Sequence, residues 1–383
     1  MAGPRACIVG IGETKYTRWG GLADRSEISL ACEAIVTACR DAGLDVGSID
    51  GIASYAYDSN DPWLLEEALG FDELRFKGMV WGGGGGGSYA AIAQAAAAIR
   101  SGEANYVAVF RSLCQGAGHR YGRGYDVPHG RNFLTPFGML SPPLMLAPLA
   151  QRYKHEFAIT AEQFGEVALV CRDNASRNPR AVLGRRPLTM ETYLASRMIA
   201  DPLRLFDCCQ ENDGACAMIL TDMERARDLR RKPVQILAAG QGSERGWSSG
   251  GLGSHSMPDQ FYASGAGKRL AERLYGQAGI TPADVDTVEI YDHFTPFVLM
   301  VLETFGFCGR GEGGSFVADG HIRWPHGKLP LNTSGGHLSE AYIHGLNLAV
   351  EGVRQLRGES CSQVSGAETC VVSCGVSAAI LGV

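Results

Sequence analysis

Apolar and polar positions along this chain fall into short blocks whose period switches between that of a strand and that of a helix. "ACIVGIG", from Ala6, is a compact apolar run and predicts a buried strand. The following "SEISLACEAIVTACRDAGL" places Ile28, Cys32, Ile35 and Cys39 on one helical face, and Gly43 marks the stop. "IDGIASYAY" returns as a strand. After a run of glycines, "SYAAIAQAAAAIRSGEA" predicts a helix and "YVAVF" another buried strand. Strands alternating with helices in this way argue for α/β layering.

The pattern occurs twice. "AGLDVGSIDGIASY" (Ala42 to Tyr55) and "AGITPADVDTVEIY" (Ala278 to Tyr291) align without a gap as helix end, short loop and strand. A second echo pairs "AIRSGEANYVAVF" with "QLRGESCSQVSGAETCVVSC" near the C-terminus. Two similar α/β halves are implied, 1–232 and 233–383, meeting at the charged stretch "DMERARDLRRKPVQI" with a new strand near Val234. Residues 113–200 are richer in Pro, Arg, His and Met and predict an inserted loop region.

Composition narrows the function classes. The 383 residues are 45% hydrophobic and 20% charged, enough for two sizeable cores and too apolar for disorder. The scattered 35 basic against 41 acidic residues leave no footprint for nucleic acid. The longest apolar run, "YAAIAQAAAAI", is too short to span a bilayer, and no targeting pattern opens the chain, so a cytoplasmic protein is expected. The 12 cysteines stand singly in apolar patterns without zinc-knuckle spacing, so they are expected to be buried thiols, with no metal.

"WGGGGGGSY" holds six consecutive glycines before the alanine-rich helix. Each loses conformational entropy on ordering, so such a run predicts close approach to the backbone. Gly82, Gly84 and Gly87 satisfy a dinucleotide-loop spacing, but any run of six does so trivially.

"GIGETKY", "AIRSGEA", "SRMIADPLRLFDCCQENDGACAMIL", "GITPADVDTVEIYDHF" and "LPLNTSGGHLSEAYIHG" together resemble the thiolase superfamily, in its sterol-carrier or lipid-transfer-protein branch. The resemblance covers nearly the whole chain. It implies a duplicated five-layer αβαβα fold, usually dimeric. It also marks departures. The thiolase nucleophilic cysteine, at the start of a buried helix, falls on Gly84, which implies that the vacated space lets a bulky substrate approach. "YDHF" puts Tyr291 and His293 where the family has an amide or imidazole and its neighbour. "NTSGGHLSEAYIHG" puts Tyr342 on the family histidine. The C-terminal catalytic cysteine aligns near Val371, with Cys370 and Cys374 off register and expected to be core thiols.

Glycine for cysteine with tyrosines at both acid/base positions is similar to the steroid side-chain-cleaving aldolases. The resemblance implies retro-aldol cleavage of a 17-hydroxy steroid carrying a three-carbon acyl-CoA side chain, giving a 17-ketosteroid and propionyl-CoA. It implies no cofactor beyond the coenzyme A of the substrate, and an OB-fold, zinc-ribbon partner protein in a heterotetramer built on a homodimer. Such cleavage needs a base, an acid and an oxyanion hole. Tyr291 and Tyr342 are the candidate acid/base pair, in either assignment. Backbone N–H groups of Gly84 and Gly375 are the candidate oxyanion donors, and Asp292, His293, His344 and Asn332 the supporting residues. Two other readings remain open: a non-catalytic acyl-CoA or lipid carrier, and a thiolase using Cys114 or Cys374.

Overall fold

The computed structural model describes residues 5–55, 58–82, 84–117, 135–242, 244 and 267–383. Residue 83 of the glycine run, the end of "IDGIASYAY" and residues 118–134 of the expected insertion lie outside them.

The chain opens with β1 (Ala6–Glu13), β2 (Thr17–Arg18), α1 (Glu27–Ala42), β3 (Gly51–Tyr55), α2 (Pro62–Leu69), β4 (Phe76–Val80), α3 (Ser88–Ser101) and β5 (Val107–Leu113). There follow α4 (Pro142–Phe157), α5 (Ala161–Arg177), α6 (Met190–Leu194), β6 (Met198–Ala200), β7 (Leu203–Arg204) and β8 (Asn212–Asp222). The remainder is β9 (Val234–Gln241), α7 (Lys268–Ala278), β10 (Thr287–Ile290), α8 (Thr295–Thr304), α9 (Gly313–Ala318), α10 (Gly336–Ser339), α11 (Leu346–Arg357), β11 (Thr369–Ser373) and β12 (Ser377–Gly382).

The main sheet runs β10-β11-β12-β9-β1-β8-β5-β3-β4, and its two wings repeat one plan. From the centre outward, β1-β8-β5-β3-β4 is matched by β9-β12-β11-β10, with Leu331 bridging Val288 in parallel where β4 flanks β3. The aligned sequence segments occupy equivalent places. Each ends a helix on a left-handed glycine, Gly43 at φ 73° and Gly279 at φ 70°, then makes a single 3-10 turn and enters β3 or β10. A glycine is needed there because left-handed backbone strains any residue with a Cβ.

Helices α3 and α11 lie between the wings, α3 touching strands of both, and share a core with Tyr55, Tyr89 and Tyr291. A second core sits outside the first wing under α1, through Leu30, Ile35 and Cys39. A third packs α7, α8 and the α4–α5 pair against the other wing. Three helical layers therefore enclose two sheet layers, which puts the N-terminus of α3 and the ends of β10 and β11 in the middle of the molecule.

One expectation is corrected. Within 113–200, the described residues form helices α4, α5 and α6 rather than a loop region. Leu146, Leu149, Tyr153, Phe164, Val167 and Cys171 recur at helical spacing and are buried. The surrounding proline and arginine obscured that period.

Candidate active site

Tyr291 is the first residue beyond β10, and its position is set by the strand end. Ile290 lies opposite Ser373 in the parallel ladder, and the Tyr291 N–H donates to Ser373 O at 2.8 Å. On the other side Asn332 serves as a substitute strand. Its Oδ1 accepts from Ile290 N at 2.7 Å and its Nδ2 donates to Ile290 O at 2.9 Å. Tyr342 lies between α10 and α11, where its N–H donates to Asn212 Oδ1 at 2.7 Å. These supports bring the two hydroxyls to 2.7 Å across 51 residues of chain. Tyr291 is buried, and burial followed by the neighbouring phenol pushes its pKa well above the ordinary value.

The glycine run meets the protein's own aromatic rings. A Cβ on Gly85 would stand 2.3 Å from two ring carbons of Tyr291, and one on Gly87 would stand 2.7 Å from Tyr55 Cβ. The bare backbone admits the Tyr291 ring at Gly85 and the Tyr55 side chain at Gly87. Gly84 opens the 3-10 turn that leads into α3. The Gly85 carbonyl is tied down by Ser88 Oγ at 2.8 Å and by Ser377 Oγ at 3.1 Å, which joins the turn to the C-terminal loop. Gly375 does not present its N–H to this space, because it donates to Ser373 Oγ at 3.0 Å.

The supporting residues divide by what they touch. The His293 ring lies 4.9 Å from that of Tyr291, against Phe294 and Phe297, and burial pushes its pKa down to about 4. His344, with φ 49°, faces the Tyr342 ring at 5.0 Å and accepts at Nδ1 from Arg111 Nε at 3.2 Å. Burial and then the Arg111 charge keep it neutral. Arg111 is itself fully buried against Asp58 at 2.9 Å. Asp292 bonds to backbone: it accepts from His337 N at 2.8 Å and Leu338 N at 3.1 Å at the start of α10. Burial raises its pKa to about 6 despite those bonds.

Sequence reasoning missed His337, whose ring lies 4.6 Å from Tyr291 and 5.0 Å from Tyr342. It stands at an apolar position of the family pattern, so a comparison of catalytic positions passes over it. A histidine at a place that asks for leucine was the available signal. Arg111, inside an apolar strand, was similarly readable as a buried charge. Cys114, Cys370 and Cys374 are buried thiols, and burial pushes Cys374 up to about 11, which disfavours the thiolate a displaced nucleophile would need.

The two hydroxyls share one hydrogen bond in which either can be the donor. The contact lets a proton pass from one phenol to the other.

A 17-hydroxy-3-oxo-4-pregnene-20-carboxyl-CoA lyase of Mycobacterium tuberculosis is 41% identical to this chain, covering 98% of it and 97% of the lyase. The chain belongs to the thiolase superfamily. Within that superfamily it falls on the lipid-transfer-protein branch with the aldolases. A steroid side-chain-cleaving aldolase of Thermomonospora curvata is 40% identical, over 97% of this chain and 95% of its own. The family model described as thiolase C-terminal domain-like matches residues 250–379. Among solved structures, one titled Ltp2-ChsH2(DUF35) aldolase superposes with a TM-score of 0.92 at 39% identity, covering 100% of this chain and 98% of that one. The thiolase fold thus stands in a chain that is similar over nearly its whole length to aldolases.

Proposed function

We propose that this protein cleaves a β-hydroxyacyl-CoA by a retro-aldol reaction, its substrate a 17-hydroxy steroid with a three-carbon side chain held as a coenzyme A thioester. The observation that carries the reading is the Tyr291–Tyr342 hydroxyl contact of 2.7 Å, at the two positions where thiolases keep acid/base groups. Tyr291 takes the tertiary hydroxyl proton, and passes its own across the shared hydrogen bond to Tyr342, as the bond between the ring carbon and the thioester α carbon breaks. The electron pair of that bond becomes the thioester enolate, and Tyr342 returns a proton to the α carbon. The products are a 17-ketosteroid and propionyl-CoA. Exchange of the two roles fits the same geometry. The Gly84 N–H, at the head of α3, is the candidate donor to the enolate oxygen.

The reading includes two partners. A second copy of the chain forms a homodimer, and an OB-fold protein with a zinc ribbon completes the thioester site. The similar solved structure of an aldolase with a DUF35 component supports a second protein in the assembly. No helix among the described residues is long and apolar enough to cross a membrane, and we place the enzyme in the cytoplasm. The chain, with its OB-fold partner, is to be incubated with the 17-hydroxy steroid acyl-CoA. Ketone and propionyl-CoA should form in equal amounts. Substrate that is bound but returned intact would instead support a carrier.

A further inference from the structure

His337 stands between the two phenols, and no step of the proposed chemistry uses it. Its side chain is fully buried, and its ring is close to perpendicular to both neighbours, at 77° to Tyr291 and 87° to Tyr342. Neither ring nitrogen makes a hydrogen bond, which is uncommon for a buried imidazole and asks for a reason. Asp292 Oδ1 lies 3.3 Å from Nδ1. The Asp292 carboxylate accepts two backbone N–H groups and faces the Cys171 thiol at 3.5 Å, so every neighbour treats it as an acceptor. Asn347, whose Oδ1 also lacks a partner, contributes a second acceptor near the ring.

We propose that His337 is the positioning residue of the phenol pair: wedged between the rings, it fixes the hydroxyl contact, and its ring edge stabilises a phenolate over the neutral phenol. This deepens the aldolase reading and rests on it. A perpendicular ring pair sets the positive edge of one ring on the negative face of the other, and that attraction grows when the face belongs to a phenolate. The other titratable groups around the imidazole are consistent with this. His293 and His344 are held neutral by burial. From β8's approach, burial pushes the Cys209 thiol up. From α5, the Arg172 guanidinium is turned away to Ser339 Oγ at 2.8 Å and Arg186 O at 2.7 Å. Asp292 is left as the ionised group nearest the ring.

The test is His337→Phe in the full chain with its OB-fold partner, because phenylalanine keeps a ring and loses both nitrogens. We expect an intact fold by circular dichroism, KM little changed, and kcat lowered on the order of 10-fold to 100-fold, the usual effect of removing an outer support. The limb of the kcat–pH profile that reports phenol ionisation should move alkaline by about one unit. His337→Gln, which restores a polar edge, should recover part of the loss. A second readout needs no turnover: the tyrosinate absorbance titration of the wild type minus that of Tyr291→Phe isolates this phenol, and the difference should shift to higher pH in the His337→Phe background. If the wild type cleaves substrate while His337→Phe keeps kcat and the same pH limb, the inference is overturned and the aldolase reading stands. If the wild type does not cleave, the aldolase reading falls, and an unmoved absorbance titration overturns the inference by itself. Should His337→Phe fail to fold, the same two measurements on His337→Gln decide.

Discussion

Tyr291 has one titratable atom and several packing partners, so Tyr291→Phe separates chemistry from architecture. The ring still fills the space over Gly85, and folding should survive. Turnover should fall about 100-fold to 10,000-fold, the range for deleting a general acid or base. Tyr342→Phe should cost about 100-fold to 1,000-fold if its hydroxyl serves mainly as a donor to the enolate. Because the hydroxyls share one bond, the double variant should lose less than the product of the two, as groups acting as a unit do. Steady-state kinetics of the three variants checks this, and near-native rates in both single variants would end the aldolase mechanism. Gly85→Ala tests the same contact from the other side. Its methyl would meet the Tyr291 ring at 2.3 Å, an overpacking cost of about 1–3 kcal/mol that should appear as a lower Tm together with lost activity. His293 yields a pH prediction. Its folded pKa is pushed from 6.5 to about 4, so the unfolded chain takes a proton first as pH falls. Its contribution to stability is complete above 6.5 and disappears as pH falls through 4, a loss of up to about 3 kcal/mol. Urea unfolding at neutral and at acid pH should show the wild type losing more than His293→Phe.

At the scale of elements, the site is made by places where regular structure stops. β10 ends at Ile290, and Asn332 supplies the next pair of hydrogen bonds from its side chain, so the turn that follows is held as firmly as a strand. Arg111 in β5 reaches from one wing to His344 before α11 and to Tyr55 O at 2.8 Å. Asp58→Ala would remove the carboxylate at 2.9 Å from a fully buried guanidinium. The expected cost is about 3–5 kcal/mol, with Asp58→Asn milder. Thermal unfolding of both variants measures it. These elements also mark what was legible in the sequence. The wings, the repeated glycine stops and the entry into β3 and β10 are written in local periodicity, which a single chain displays. Tyr291 and Tyr342 were legible because each falls on a motif position. Their contact was not, since it depends on Asn332, Asn212 and the strand ladder meeting across distant segments. The same holds for the Gly375 N–H: its capture by Ser373 Oγ two residues earlier depends on the loop's conformation, which residue type does not specify. The three helices within 113–200 were hidden by proline and arginine among their apolar positions.

For the whole molecule, the two wings differ most at their outer edges. The second wing closes at β10 against the chain at Leu331, whereas the first ends at β4, which has no further strand beside it among the described residues. An open edge invites pairing with another chain unless it is blunted by charge or covered. Here the edge strand carries one exposed charge, Lys77, among apolar surface: Met79 is 49% exposed and Trp81 73%, and the neighbouring α2 adds Trp63 at 64% and Leu64 at 52%. Lys77 is the cation within this patch, with Nζ 3.4 Å from the Trp63 ring centroid, which leaves the indole's other face available. Four large apolar side chains around one open strand are more than scattered surface residues, and such patches mark contact sites. The homodimer proposed above is therefore expected to use this edge, strand against strand, with the tryptophans closing over the junction. Met79→Lys combined with Leu64→Glu puts charge on both sides of the strand without touching the Tyr291–Tyr342 site. Light scattering should give a dimer mass for the wild type and a monomer mass for the double variant, with the circular dichroism spectrum unchanged. A variant that remains dimeric would place the interface elsewhere, and a monomeric wild type would remove the homodimer from the proposed assembly.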